Sequence, residues 1–254
     1  LIDCYVHINT RNKTIYEWLP FLFQDICNET QMQVNWIVTS TSFYGVQVLN
    51  GKYYSYILKK EDSVLLCNNN WTKATLYSDD SEATSSLLFL MLYSYLVTRR
   101  TLLMHSSLID YQGNGIMFLG PSGIGKTTQA ELWNQFAGAD ILNGDMVFVR
   151  ENPDGFYGYG SPWHGSSPYC MNAKVKLRAL ITLEQASENS IRRLSGFDVL
   201  QGIMDQVFLP HWYPEGMTPC LDTLNDLLAQ IPVYHLACRP DEDAVQLLKN
   251  ELQI

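Results

Sequence analysis

Basic residues are scarce in this sequence. Its 254 residues include 17 Lys and Arg against 26 Asp and Glu, which gives a formal net charge of -9. Proteins that grip a nucleic-acid backbone need clustered Lys and Arg to neutralise its phosphates. The composition therefore argues against a general nucleic-acid binder. It does not exclude a small phosphorylated ligand, because one loop can neutralise such a ligand locally.

Closely spaced cysteines and long apolar runs are also absent. The six cysteines form no Cys-x-x-Cys pair, which argues against a zinc site and indicates reduced thiols. The most apolar run, residues 87–97, has about half of the ~20 residues that a membrane-spanning helix needs. We therefore expect a buried helix there and no membrane span. No signal peptide is visible, so we expect a cytoplasmic protein.

Residues 1–100 have a pattern of their own. Short β-type runs separated by polar turns fall at residues 36–39, 44–48, 53–58 and 64–66. Asn50-Gly51 is a hairpin signal, and residues 15–27 suggest a helix. An apolar helix over residues 84–98 ends at Arg99-Arg100, whose charges suit a helix C-terminus, with a substrate-facing role as the alternative. We predict a β-rich α+β region over residues 1–100.

Strands and helices alternate from residue 102 onward. Predicted strands fall at residues 102–110, 116–119, 177–183 and 233–237. Predicted helices fall at residues 126–136 and 197–208, from Thr218-Pro219 to residue 229, and from Asp241 toward the end. This alternation is typical of an α/β domain, which we place at residues 101–254.

A glycine-rich loop carries the clearest chemical signal. Residues 120–128 read GPSGIGKTT and fit G-x-x-x-x-G-K-[ST] without a mismatch. Glycines let such a loop curl so that its N–H groups point at phosphate oxygens, and the helix that follows adds its positive end. The residues predicted to bind the phosphates of ATP are Gly120, Ser122, Gly123, Ile124, Gly125, Lys126, Thr127 and Thr128.

Within this motif, two side chains have distinct predicted roles. Lys126 should reach the β- and γ-phosphates, and the Thr127 hydroxyl should bind magnesium. A magnesium site also needs a carboxylate, usually at the end of a neighbouring strand. Asp145 is the best candidate, because it lies 18 residues past Thr127, which leaves room for one helix and a return. Asp140 competes, but it precedes the apolar strand.

His105 can be placed by counting along a hairpin. If residues 102–110 pair with residues 115–119 around a turn at residues 112–114, the numbers of paired residues sum to about 225–227. His105 then faces residues 120–122, the start of the glycine-rich loop. A histidine there can orient a catalytic aspartate or contact the transferring phosphate. A purely structural histidine is the other interpretation.

Together, HSSLID at residues 105–110, the hairpin, GPSGIGKTT and Asn143-Gly144-Asp145 resemble the catalytic domain of HPr kinase/phosphorylase. The resemblance is good over residues 101–150 and loose over residues 175–254. It implies an α/β P-loop kinase domain, with a nucleotide-binding core shared with the phosphoenolpyruvate carboxykinases. The family's loop histidine falls on His105, and its phosphate-loop Lys and Ser/Thr fall on Lys126 and Thr127.

The chain departs from that family at two places. Two consecutive aspartates bind magnesium and activate the seryl hydroxyl in the family, whereas this chain has Gly144-Asp145. Asp145 must then act as base or as magnesium ligand, or water must fill one of the roles. The segment GSPWHG at residues 160–165 replaces a Glu- and Gly-containing signature. With residues 177–183 and 188–194, it resembles the HPr-kinase-related proteins of peptide-modification gene clusters, including lasso-peptide precursor kinases. Trp163 and His164 then form an acceptor pocket; alternatively, Trp163 packs in a core and His164 lies on the surface.

The resemblance implies a kinase that uses ATP and Mg²⁺ to phosphorylate a serine of a peptide or protein, and that can form a homo-oligomer. His105, Lys126 and Asp145 would be catalytic, and Thr127 and Asp145 would bind the metal. Candidates for stabilising phosphoryl charge are Arg150, Arg178, Arg192, Arg193 and Arg239.

Three alternatives stay open. The first is a kinase of free serine or another small molecule, which would share every motif. The second is a phosphoenolpyruvate carboxykinase-like enzyme, which the short chain and the lack of a second His, Lys and Asp metal site disfavour. The third is a nucleotide-binding module whose catalysis has decayed with the paired aspartate.

Overall fold

A computed structural model describes residues 6–10, 32–37 and 55–254 of the chain. The chain divides into two compact units, Asp3–Arg99 and Arg100–Ile254. Both contain strands and helices, so the protein is of mixed α/β type. The helix expected at residues 15–27, the strand at residues 44–48 and the Asn50-Gly51 turn lie outside the described residues.

A mixed sheet forms the described part of the first unit. Its strands are β1 (Val6–Thr10), β2 (Met32–Ile37), β3 (Tyr56–Lys60), β4 (Ser63–Cys67) and β5 (Lys73–Tyr77). They are ordered β1-β2-β5-β4-β3. The first two pairings are parallel and the others are antiparallel. Strands β3 and β4 were expected, β2 begins earlier than predicted, and β1 and β5 were missed. Strand β5 opens with Lys and Ala, which are depleted in strands.

Helix α1 (Ser81–Val97) completes the first unit. It begins at Asp80, whose carboxylate accepts the backbone N–H of Ala83 at 2.6 Å. Leu87 and Met91 are fully buried, which confirms the prediction of a buried helix.

The two arginines after this helix have different partners. Arg99 Nη1 donates to the carbonyl of Tyr95 at 2.8 Å, the capping contact expected at a helix C-terminus. Arg100 instead forms ion pairs with Glu151 and Asp226. The prediction that both arginines cap the helix is therefore wrong for Arg100, since these two acids bind its guanidinium.

Eight strands of the second unit pair into one sheet. They are β6 (Thr101–Tyr111), β7 (Asn114–Leu119), β8 (Asp140–Asn143), β9 (Met146–Asn152), β10 (Gly155–Tyr159), β11 (Lys174–Gln185), β12 (Ser190–Arg193) and β13 (Val233–Cys238). The predicted strands at residues 102–110, 116–119, 177–183 and 233–237 are confirmed. Strand β7 runs parallel to β11, and β11 runs parallel to β13.

Part of this sheet closes on itself. Strand β10 pairs with β9 on one side and with the first residues of β11 on the other. Because β9 pairs with β6, β6 with β7, and β7 with β11, these five strands form a ring. Strand β8 pairs with β6 outside that order, and β12 pairs with β13 at the far end of the sheet.

Helices α2 (Lys126–Ala137) and α5 (Glu242–Leu252) pack on the sheet. Both occur where the sequence predicted them, and Asp241 caps α5 by accepting the N–H of Ala244 at 3.1 Å. The core beneath them combines Trp133 of α2 with Phe118, Ile181 and Leu236 of the central strands, all fully buried.

Two helix boundaries differ from the prediction. Helix α4 (Pro214–Gln230) begins before Thr218-Pro219, because Pro214 at the first helical position and Glu215 in the first turn already supply the start signals. Helix α3 (Phe197–Ile203) is shorter than predicted and ends in a 3₁₀ turn, Met204–Gln206. The chain then leaves the helical path because Val207 pairs with Met104 of β6.

No helix within residues 6–10, 32–37 and 55–254 combines the length and the apolar character needed to cross a membrane.

We predict that Trp133→Ala lowers the free energy of unfolding by roughly 3 to 5 kcal/mol, the range for emptying a large aromatic site in a core. Trp133 is 0% exposed, and its indole N–H has no partner among the described residues, so the loss is one of packing. Urea denaturation measures it. Phe136→Ala, on the same helix but 37% exposed, is the control and should cost roughly 1 kcal/mol or less. Equal losses would contradict this core.

Candidate active site

The glycine-rich loop connects the carboxyl end of β7 to the first residue of α2. Gly123 and Gly125 have φ angles of 79° and 113°, a region that other residues rarely adopt. The side-chain amide of Gln185, at the end of β11, donates to the carbonyls of Gly123 at 3.4 Å and Ile124 at 3.3 Å. These bonds hold the loop against the neighbouring parallel strand, at the sheet edge where α/β proteins bind ligands.

Lys126 is drawn back across this loop. Its Nζ donates to the carbonyls of Gly120 at 2.9 Å and Pro121 at 3.2 Å, and the residue is 7% exposed. Burial lowers the pKa of Lys126, and the nearby charge of Asp145 opposes that shift. The buried hydroxyl of Ser107 on β6 donates to the Lys126 carbonyl at 2.9 Å, which ties the start of α2 to the central strand. A cation is thus fixed at the mouth of the loop.

His105 and Asp145 meet beside this lysine. Ser106 pairs with Leu119, a sum of 225, so the predicted register of the hairpin is confirmed. On the other edge of β6, Ser106 N–H donates to the Asp145 carbonyl at 2.8 Å. His105 Nε2 then lies 3.0 Å from Asp145 Oδ1. Of the interpretations of His105, the one in which it orients an aspartate fits this geometry.

The charge state of His105 follows from its surroundings. Burial and the positive charge of Lys126 lower its pKa, while Asp145 acts in the opposite direction. The imidazole is therefore neutral near pH 7. A neutral ring contacts a carboxylate favourably only when the proton is on the facing nitrogen, so Nε2–H donates to Asp145.

Thr127 and Asp145 both lie beside Gly144, the first through a hydrogen bond and the second as its neighbour in the chain. Thr127 Oγ1 donates to the Gly144 carbonyl at 3.4 Å, which brings the first turn of α2 beside the Asn143-Gly144-Asp145 turn. A hydroxyl and a carboxylate are ligands that Mg²⁺ accepts, with phosphate oxygens and water completing its shell. These residues fit a magnesium ion held together with a nucleotide. In the described part of the chain, no three His, Cys, Asp or Glu residues gather as a metal site of their own.

The competing carboxylate lies elsewhere. Asp140 is the exposed first residue of β8 and pairs with Asp110, five residues along β6 from His105. The structure therefore brings Asp145, and not Asp140, to the loop.

Sequence reasoning missed the role of Asn143. Its side chain is fully buried, and Oδ1 accepts the backbone N–H groups of Asp145 at 2.8 Å and Met146 at 2.9 Å. Its Nδ2 donates to the carbonyls of Ser161 at 3.0 Å and Trp163 at 3.3 Å. Asn143 thus joins the turn that presents Asp145 to the GSPWHG segment. The sequence signal that could have indicated this role is the Asn before Gly-Asp, because an Asn side chain in a turn often hydrogen-bonds the backbone two residues further on.

The GSPWHG segment reaches Asp145 through Gly165. A Cβ on Gly165 would lie 2.5 Å from Asp145 Oδ2, so only glycine fits there without displacement. Trp163 is half-buried and packs edge-on against Phe148, with 6.2 Å between ring centroids. His164 Nδ1 hydrogen-bonds the Ser167 carbonyl. The acceptor pocket of Trp163 and His164 stays a prediction, and both side chains have structural contacts.

Several candidate arginines have partners of their own. Arg178 donates to the Leu252 carbonyl at the end of α5, at 3.0 Å. Arg192 pairs with Asp198 at 3.2 Å, and Arg239 pairs with Asp241 at 2.9 Å. These contacts account for the three guanidinium groups as surface and helix-end interactions.

The chain has a limited similarity to known proteins. No model of a known protein family matches the chain. HPr kinase/phosphorylase from Mycoplasmopsis pulmonis (strain UAB CTIP) is 24% identical over 140 residues, which are 55% of this chain and 40% of that protein. The chain is similar to HPr kinase/phosphorylase.

A solved structure, the Hpr(Ser) kinase/phosphatase from Coxiella burnetii, aligns with 59% of this chain and 95% of its own at a TM-score of 0.36 and 10% identity. In the sequence match, this chain spans less than half the length of the M. pulmonis relative. The narrower resemblance to lasso-peptide precursor kinases stays a prediction.

We predict that His105 makes stability depend on pH in a defined direction. Its pKa is lower in the folded state than the value of about 6.5 in the unfolded chain. Below pH 6.5, the unfolded chain therefore binds more protons at this histidine than the folded chain does. Stability should therefore decrease as the pH falls below about 6.5, and His105→Gln should flatten this decrease. Urea denaturation between pH 7.5 and 5.5 measures it, with exposed His211→Gln as the control. An unchanged slope in His105→Gln would contradict the neutral imidazole.

Proposed function

We propose that this chain is a P-loop kinase that transfers the γ-phosphoryl group of ATP to a serine hydroxyl of a peptide or protein. The observation that carries the proposal is the convergence of Lys126, Thr127 and the His105–Asp145 pair at one end of β7. A lysine in a glycine-rich loop suits nucleotide phosphates, and a carboxylate beside it suits activation of an acceptor hydroxyl.

The loop and Lys126 would bind the phosphates. On binding, Lys126 Nζ would exchange the carbonyls of Gly120 and Pro121 for phosphate oxygens, so the lysine is already near its working place. Because the lysine is largely removed from water, its electrostatic attraction to phosphate is stronger than that of an exposed lysine. Thr127 and Asp145 are the residues that would hold Mg²⁺, which supplies positive charge to offset the phosphates.

Asp145 would accept the proton of the acceptor serine. The seryl oxygen then bonds to the γ-phosphorus, the bond from that phosphorus to the bridging oxygen breaks, and ADP leaves with the electron pair. His105 holds Oδ1 of Asp145 through its Nε2–H, so the carboxylate is oriented while Oδ2 lies against Gly165. Positioned general bases of this kind contribute typically 10²- to 10⁴-fold in rate.

A peptide or protein acceptor is the finer part of the proposal. The similarity to a protein named HPr kinase/phosphorylase supports a protein substrate. The GSPWHG segment, which contacts Asp145 through Gly165, would line the side of the site where the acceptor binds. We further propose a cytoplasmic protein that assembles as a homo-oligomer and binds neither nucleic acid nor membrane.

Lys126→Ala should reduce phosphoryl transfer by about 10²- to 10³-fold or more, because the fixed charge at the γ-phosphate is lost. The assay uses γ-labelled ATP with a panel of serine-containing peptides and, separately, free amino acids. Lys176→Ala, which removes an exposed lysine paired with Asp154, is the control and should keep wild-type activity. Full activity in Lys126→Ala would remove the basis of the assignment. Labelling of free amino acids alone would indicate a small-molecule kinase.

Asp145→Asn should keep the binding of metal-free ATP and lose about 10²- to 10⁴-fold in turnover, because an amide cannot accept the hydroxyl proton. Calorimetry measures binding, and the labelling assay measures turnover. Asp140→Asn changes the rejected candidate in the same way and should be active. Retained turnover in Asp145→Asn would exclude it as the base. Binding of ATP by wild type without transfer to any peptide or amino acid would favour a nucleotide-binding module.

A further inference from the structure

Ser167 occupies the space that a side chain at residue 144 would need. A Cβ added to Gly144 would lie 1.9 Å from Ser167 Oγ and 2.5 Å from Ser167 Cβ. The same point is 3.8 Å from Thr127 Oγ1. A side chain at residue 144 and Ser167 in its present place therefore exclude each other. The position that such a side chain would take thus lies close to both hydroxyl groups.

This hydroxyl has an unused donor. Ser167 Oγ accepts the backbone N–H of Tyr169 at 3.2 Å. Among the residues described, no acceptor takes the proton of Ser167 itself, although the residue is only 9% exposed. Polar hydrogens in such surroundings are normally bonded, and an exception calls for an explanation. Thr127 Oγ1 likewise has only a long bond of 3.4 Å, to the Gly144 carbonyl.

Hydrogen bonds fix the segment that carries Ser167. Ser167 N–H donates to the His164 carbonyl at 3.0 Å, and His164 Nδ1 bonds back to the Ser167 carbonyl. Further along, Cys170 pairs with Asn143, and Met171 N–H donates to the Leu142 carbonyl at 2.8 Å. At the other end, Asn143 Nδ2 donates to the Trp163 carbonyl at 3.3 Å. Because both ends of this turn are thus bonded to the element that presents Asp145, the Ser167 hydroxyl is held next to Gly144.

We propose that Ser167 is a positioning residue of the magnesium site, and that its hydroxyl donates to a water molecule bound to the metal. The inference rests on the proposed function, because it takes Thr127 and Asp145 as the magnesium residues. Mg²⁺ keeps several of its waters in proteins, and groups that hold such waters orient the ion. Removal of an outer partner of this kind typically weakens metal affinity or activity by 10- to 100-fold.

The test is the magnesium dependence of ATP binding, measured by calorimetry on the full chain. In Ser167→Ala, the Mg²⁺ concentration at half-maximal enhancement of ATP binding should rise about 10-fold. The affinity for ATP without metal should stay unchanged. Ser166→Ala, which removes the exposed neighbouring hydroxyl, is the matched control and should respond as wild type. A wild-type magnesium response in Ser167→Ala would overturn the inference.

A swap of the two positions separates this role from a merely structural one. Gly144→Ser alone should lower the thermal midpoint, because its side chain collides with Ser167. The double variant Gly144→Ser with Ser167→Gly returns a hydroxyl to nearly the same place and should regain both the midpoint and the magnesium response. If the double variant folds but binds Mg²⁺ no better than Ser167→Gly, the inference is wrong, even where Ser167→Ala is unstable.

The same titrations distinguish failure of the inference from failure of the proposed function. If Mg²⁺ does not enhance ATP binding by the wild type, and Lys126→Ala binds ATP as tightly as the wild type does, the proposed kinase site itself is wrong. If Mg²⁺ enhances binding by the wild type, Lys126→Ala weakens it, and Ser167→Ala behaves as wild type, only the assignment of Ser167 is overturned.

Discussion

The pairing of β6 on both of its edges is the constraint on which the site depends. One edge is fixed to β7, which delivers the glycine-rich loop, and the other edge is fixed to β9, which follows Asp145. His105 lies where the two pairings meet, so its contact with Asp145 follows from the sheet register. A slip of one residue on either edge would turn the imidazole to the opposite face of the sheet.

Around that strand, the polar groups of the site are held mostly by hydrogen bonds from side chains to backbone atoms. Asn143 uses both ends of its amide to connect the Asp145 turn to the GSPWHG segment, while Ser107 and Gln185 hold the loop from two strands. Such a network keeps the carboxylate and the lysine in place without requiring the two to form an ion pair. Preorganised groups of this kind would suit the proposed phosphoryl transfer, in which charge stabilisation is the main task.

Local patterns in the sequence predicted the elements that local patterns determine. The position of the glycine-rich loop between β7 and α2, the hairpin register and helix α2 are confirmed, because spacing and apolar periodicity fix them. The contacts of Asn143 and the exclusion between Gly144 and Ser167 could not be predicted. They depend on a return of the chain about twenty residues later, and neither composition nor periodicity encodes that return. The start of α4 was placed wrongly because Pro214 and Pro219 give the same local signal.

The ring formed by β10, β9, β6, β7 and β11 also affects how the sheet meets other molecules. Within the residues that the structure describes, each strand of this ring pairs on both sides, and the order of strands continues from β11 through β13 to the short strand β12. That strand carries Arg192 and Arg193, both exposed. Short, charged edge strands resist pairing with strands of other chains. Arg192 and Arg193 thus put two positive charges on this edge strand, a feature that disfavours edge-to-edge pairing with another chain.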